Sequence, residues 1–263
     1  MTFFNYLEFF ICGGVMRKKF IFARVLVGFI ATAVTLTSGC GKVSDNKDQF
    51  QSSPPIQREY PTVIIDAGHG GEDCGAIGAN GVYEKDLNLD IAFELGALLK
   101  ASNVKIRFTR DKDELLYDKN SDYEGRKKAL DMAARVSVIN EYQDAIFVSI
   151  HMNSFPQSKY HGLQVYYSEN SELSKGLADL LQRTTVQNLQ TDNTRSIKPS
   201  EGNIYLLEKT MYPAVLIECG FISNPEECAL LCQATYRKRL ALCLYTAIIT
   251  FLDAQQNNPS VST

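Results

Sequence analysis

The sequence predicts an α/β fold: about six strands in a mostly parallel, twisted sheet with helices on both faces. Three observations predict it. Short apolar runs at 63–65, 145–151 and 214–218 lack the polar alternation of a half-exposed sheet, as strands covered on both faces do. The stretches between them carry apolar residues at helical spacing, Leu87, Ile91, Leu95 and Leu98-Leu99 being the first such stripe. No internal repeat appears, and alternating strands and helices are the pattern of a doubly wound sheet.

Each element follows from local chemistry. The first strand, Val63 to Ile65, lies between Pro61 and the glycine-rich turn Gly68-His-Gly-Gly71. After the first helix, Val104 to Thr109 alternates as a second strand, and the charged stretch from Asp111 to Gly125 reads as a surface loop. A helix over Leu130–Ile139 precedes the strand Ala145–His151, and Gly162–Tyr167 is the next strand. Leu173, Leu177, Leu180 and Leu181 share a helix face. Residues 190–203, rich in Thr, Asn, Ser, Pro and Gly, are expected to form a loop too short and too glycine- and proline-rich for a helix. Tyr205–Leu207 and Ala214–Glu218 are the last expected strands, followed by a helix over Arg237–Asp253. With no further helix in either loop, the groove at the strand ends should be open.

The expected organisation is a leader over 1–40, a flexible tether over 41–60, a catalytic domain over 61–253 and a disordered tail over 254–263. With 263 residues, 45% of them hydrophobic, the chain can build one well-packed domain. The basic cluster Arg17-Lys-Lys19, the apolar run to Thr37 and the small residues before Cys40 form a bacterial export signal with a lipoprotein-like end. Met16, just ahead of that cluster, is an alternative start to Met1. The uninterrupted apolar run Val25–Thr37 is shorter than the ~20 residues that cross a bilayer. These features predict an exported, extracytoplasmic protein that meets the membrane only through its leader, with Cys40 as the candidate lipid anchor. The polar tether, ending in Pro54-Pro55, suits a spacer between membrane and domain.

Four basic residues and one acid in the first 40 leave a net −6 on the remainder of a chain whose formal charge is −3. A net-acidic body argues against nucleic acid as a partner. Five of the seven cysteines follow Cys40; an odd number cannot all pair, and they read as apolar core fillers.

Chemistry concentrates at strand ends. His69, His151 and Glu218 each stand where an apolar strand stops, and in open α/β sheets ligands sit outside the carboxyl ends of the strands. Glu84 stands at an expected helix start and can converge on the same point. Two imidazoles and a carboxylate form a catalytic zinc set, since structural sites usually close with a fourth protein ligand. A second carboxylate is then free to act as base. Asp66 and Asn153 are expected to orient the ligating histidines by hydrogen bonding. His161 reads as a solvated loop residue, and Cys74 and Cys219 raise a minor Cys–His nucleophile alternative.

Four stretches together carry a family resemblance: Ile64-Ile-Asp-Ala-Gly-His-Gly-Gly-Glu-Asp73, Asn80-Gly-Val-Tyr-Glu-Lys-Asp-Leu-Asn88, Phe147-Val-Ser-Ile-His-Met-Asn153 and Val215-Leu-Ile-Glu-Cys-Gly-Phe-Ile-Ser-Asn-Pro-Glu-Glu227. The chain resembles the zinc-dependent N-acetylmuramoyl-L-alanine amidases of the amidase-3 type over residues 61–253, and looks closest to those acting in germination and on spore cortex. The resemblance implies their phosphorylase/hydrolase-like fold and one Zn²⁺ per chain, held by His69, Glu84 and His151. It implies Glu218 as general base for a zinc-activated water. It also implies peptidoglycan as substrate, cut between N-acetylmuramic acid and the L-alanine of the stem peptide. The chain is expected to act as a monomer. Two alternatives remain open at this level: a non-catalytic wall-binding module, and a zinc peptidase cutting another bond of the stem.

Overall fold

The computed structural model describes residues 59–118, 120 and 124–257. The expected leader with Cys40, most of the tether and the last residues of the tail lie outside these. Among the described residues no helix is long and apolar enough to cross a membrane.

The strands are β1 (Thr62–Ala67), β2 (Ile106–Phe108), β3 (Ala145–Asn153), β4 (Gln164–Tyr167), β5 (Lys198–Pro199) and β6 (Ala214–Phe221). They form one sheet in the order β2-β1-β3-β6-β4-β5. Neighbours are parallel except β4 with β6, which run antiparallel. The helices are α1 (Glu84–Ala101), α2 (Lys127–Asn140), α3 (Glu172–Asn188), α4 (Tyr205–Glu208), α5 (Pro225–Leu231) and α6 (Ala234–Asn257).

The apolar runs explain the layers. In β1, Val63, Ile65 and Ala67 face a core shared with α1, α3 and α6, while Ile64 faces a second, smaller core with Ile139, Leu206 and Leu207. All four β1 side chains are 0% exposed, and each such burial stabilises by about 1.5–3 kcal/mol for the larger aliphatics. The expected mostly parallel sheet with helices on both faces is the observed one.

Four local readings differ. Tyr205–Leu207 is the one-turn helix α4, not a strand. A three-residue apolar run has no period of its own, and here the turn lets the consecutive Leu206 and Leu207 both reach the smaller core. Its last turn is held by Thr210 Oγ1 donating to the Leu206 carbonyl, 2.7 Å. The edge strand is instead β5, inside the expected loop, where Pro199 costs no ladder bond to an outer neighbour. Residues 254–257, expected in the tail, continue α6, and Gln256 Nε2 donates to the Glu59 carbonyl, 3.0 Å. Helix α5 was also not expected as an element; Asn224 caps it by accepting from the amides of Glu226 and Glu227, with Pro225 in its first turn.

Candidate active site

β1 ends in a turn that the backbone must strain to make. His69 has φ 62°, a left-handed conformation that costs a non-glycine residue on the order of 1–2 kcal/mol. Two buried arginines hold it there. Arg135 on α2 donates to the carbonyls of Ala67 and His69 at 2.9 and 2.7 Å. Arg110, just past β2, donates to the carbonyls of Ala67, Gly68 and Lys85 at 2.8, 3.1 and 2.8 Å. The His69 turn is thereby tied to the start of α1, where Glu84 sits.

Parallel pairing of β1 with β3 sets Asp66 beside Ser149 and Ala67 beside Ile150, so the next residues, Gly68 and His151, meet. A Cβ on Gly68 would stand 2.2 Å from the His151 ring, and only glycine fits. Gly75 makes room in the same way: its Cβ would fall 2.6 Å from Glu84 Oε2 and 2.8 Å from the His69 ring.

Glu84 is the hub. Its carboxylate is 3.0 Å from His151 Nδ1 and 3.3 Å from His69 Nε2, both to Oε1. The same oxygen accepts from the Met152 amide at 3.0 Å, and Oε2 accepts from the Ala76 amide at 2.9 Å. Asn88, one turn along α1, steadies it at 3.4 Å. Burial works against its charge, but the hydrogen bonds and charges of His151 and His69 prevail and hold the carboxyl well below the ordinary glutamate range. For His69, burial opposes protonation, and Glu84 and Asp73 outweigh it and raise the imidazole's pKa. One ligand atom from each of His69, Glu84 and His151 lies within 4.8 Å of the others, a set that could hold a metal ion.

Glu218 closes the site from the other side, its Cα paired with His151 in the sheet. The residue is partly exposed, yet its Oε2 is shut off from solvent and has no hydrogen-bond partner. Burial pushes its carboxyl up to about 7, with Glu84 adding to the rise and His151 opposing it. A buried carboxylate with an unmatched oxygen is costly unless a cation or a proton meets it.

The structure therefore brings His69, Glu84, His151 and Glu218 together. It corrects Asp66. That carboxylate accepts from Thr109 Oγ1, Arg135 Nη1 and Ser149 Oγ, each at 2.6 Å, and no hydrogen bond joins it to either histidine. Its register on β1 turns it into the polar layer under the site, so it acts through Arg135. The partner of His69 is Asp73, whose Oδ2 is 2.9 Å from Nδ1. Asn153 likewise is not seen to orient His151: its backbone carbonyl accepts from Ile222 at 2.9 Å, and the residue lines a hollow with Phe155, Tyr160, Tyr166, Arg195 and Phe221. The sheet register slips between His151 and Asn153, which separates the two. His161 is half exposed and 3.9 Å from Asp192, in a different depression.

Neither cysteine supports a Cys–His nucleophile. Cys219 is fully buried in the larger core, and burial first, then Glu218, pushes its thiol far up. Cys74 donates to the Gly75 carbonyl at 3.2 Å. The five described cysteines are all free thiols. Neither 190–203 nor the described part of 111–125 forms a helix. The Asn203–Leu206 segment, which enters α4, does border the site, sharing a hollow with His69, Asp73 and His151.

Comparison with known proteins identifies the family. A germination-specific N-acetylmuramoyl-L-alanine amidase of Bacillus subtilis is 33% identical over 248 residues, covering 93% of this chain and all of its own. The CwlD amidase of Clostridioides difficile, solved in complex with the GerS lipoprotein, superposes with a TM-score of 0.70 at 37% identity, over 74% of this chain and 99% of that one. The catalytic domain of CwlV, an N-acetylmuramoyl-L-alanine amidase from Bacillus (Paenibacillus) polymyxa, gives 0.63 at 32% identity, over 73% and 98%. Residues 63–250 match the Amidase_3 family, and the chain belongs to that family of N-acetylmuramoyl-L-alanine amidases.

Proposed function

We propose that this chain cleaves the amide between N-acetylmuramic acid and L-alanine of the peptidoglycan stem, with one zinc ion held by His69, Glu84 and His151 and with Glu218 as the base. The observation that carries the reading is the pairing of a three-donor cluster with a buried carboxylate oxygen that nothing in the protein satisfies. The donor set fits zinc: two imidazole nitrogens and a carboxylate leave one position for water or substrate, and Gly68 and Gly75 keep the cradle free of side chains. A zinc ion there would supply a Lewis acid that polarises the scissile carbonyl and acidifies water.

The protein's own groups do the rest. Glu84 stays ionised because the imidazoles flank it. Asp73 at His69 Nδ1 fixes which ring nitrogen faces the cluster. Glu218, with an open acceptor at Oε2, takes the proton of the attacking water and returns it to the leaving amine nitrogen. A wall-binding module would have no use for that carboxylate.

The substrate class and the leader features support an activity outside the cytoplasm, in the wall or spore cortex, with peptidoglycan itself as partner. Mass spectrometry of digested muropeptides tests the assignment. Release of free N-acetylmuramic acid ends and free L-alanine amino termini is expected, abolished by chelation and restored by one zinc per chain. Cleavage only within the stem peptide, or full activity without metal, would overturn it.

A further inference from the structure

Glu218 Oε2 is one of several buried polar atoms without a partner, and another of them points to how the substrate is chosen. Arg195, in the loop before β5, donates from Nη2 to Gln164 Oε1 at 2.6 Å. Its guanidinium lies 4.8 Å from the centre of the Phe221 ring, a cation–π contact that holds the side chain in place. Its Nε, closed off from bulk solvent, donates to nothing. Leaving a charged group's donor buried and unmet is expensive, and the usual reason is a ligand acceptor. The arginine lines a hollow of about 250 Å³ with Asn153, Phe155, Tyr160, Tyr166 and Phe221. The hollow adjoins the reaction centre: Gln164, which Arg195 grips, is the Cα partner of Glu218 across the β4–β6 pair. Lys159 adds a second positive charge over the Tyr160 ring, 5.4 Å from its centre.

We infer that this hollow is the subsite for a carboxylate on the peptide side of the scissile amide, with Arg195 as the specificity-determining residue. The inference rests on the amidase reading above. A fork-shaped guanidinium already positioned by an aromatic face matches a planar carboxylate better than any neutral group. Phe155, Tyr160, Tyr166 and Phe221 line the rest of the hollow with aromatic surface.

The test compares synthetic N-acetylmuramoyl peptides that differ only in having one carboxylate free or capped as the amide, each carboxylate capped in turn. Wild-type enzyme, loaded with zinc, should prefer the free acid at one position by about ten- to hundredfold in kcat/KM. The effect should appear in KM. In Arg195→Gln that preference should collapse, and Arg195→Lys should recover part of it. Calorimetric binding of the L-alanyl-D-glutamate product should weaken in parallel, without reliance on turnover. Equal cleavage of acid and amide by wild type would overturn the inference, and that arm needs no variant. So would an equal loss on both substrates in Arg195→Gln, which would make the residue structural only. Failure of wild type to cut any of them would instead overturn the amidase assignment.

Discussion

The two sides of the site treat buried polarity in opposite ways. On the β1 side, Asp66, Asp131, Arg135 and Arg110 are all buried, and they are bonded into one network. Asp66 accepts from Arg135, Ser149 and Thr109, Arg135 Nε meets Asp131 Oδ2 at 2.8 Å, and the other N–H donors of the two arginines reach the carbonyls of Ala67, Gly68, His69, Lys85 and Lys112. On the β6–β4 side, Glu218 Oε2 and Arg195 Nε are buried and unmatched. A matched network makes a rigid platform and leaves nothing for a ligand. Unmatched groups cost stability in the empty protein and return it when something binds. The Asp66–Arg135 layer and the Glu218–Arg195 side differ in this respect, although Asn88 Oδ1 in α1 and Thr185 Oγ1 in α3 are also buried without a partner.

The sharpest way to break that distinction is at the ligands and the base. His69→Ala or His151→Ala should lose the metal and with it all measurable turnover, because two protein ligands hold zinc poorly. Glu218→Gln should keep zinc and lose roughly a hundredfold or more in kcat. If zinc content fell along with activity in that variant, Glu218 would be a ligand and its role as base would fail.

The platform should respond in stability. Asp66→Asn removes the charge that Arg135 needs, and breaking a buried pair costs about 3–5 kcal/mol. Burial opposes the charge on Asp66, but Arg135 and the two hydroxyls outweigh it and keep its pKa below the ordinary aspartate value. Its contribution is therefore present above the unfolded-state pKa and lost as pH falls through the folded one. Denaturant titration of the variant at pH 7 checks the first point. A loss under 1 kcal/mol would show the network to be ornamental.

The working side should show the reverse pH sign. In the metal-free protein Glu218 keeps its proton up to about 7, whereas the unfolded chain gives it up near 4.5. Between those values the folded state binds more protons, so stability falls as pH rises, by roughly 3 kcal/mol over the window. Glu218→Gln should flatten that slope. An unchanged slope in the variant would place the cost elsewhere. The smallest effect is expected at the seam between the two sides: Asp73→Asn should weaken zinc binding by about ten- to hundredfold while leaving the fold intact. Metal titration against a competing chelator measures it.

How much of this was legible beforehand depended on whether the signal was local. His69, His151 and Glu218 end apolar strands, and sheet topology alone sends such residues to one edge. Glu84 was readable as a helix start. Arg110, Arg135 and Asp73 were missed, because their roles depend on contacts with residues far along the chain. The one available cue was the i, i+4 spacing of Asp131 and Arg135 on a helix. Asp66 was misassigned because its proximity in sequence to His69 suggested contact, while strand alternation points the two apart. Arg195 sat in a loop with no period, and only the folded structure sets it beside Phe221.

The placement of β6 has a consequence for synthesis. It is the last strand made, yet it lies in the middle of the sheet, between β3 and β4. Until residue 221 is available, those two strands have no common neighbour, and each presents an unpaired edge to its surroundings. A nascent or truncated chain ending before Ala214 would expose two apolar strand margins and lack Glu218 altogether. Partial products should thus be both inert and prone to aggregate, and hydrolytic competence should arise in a single late step, when the final strand threads into its slot.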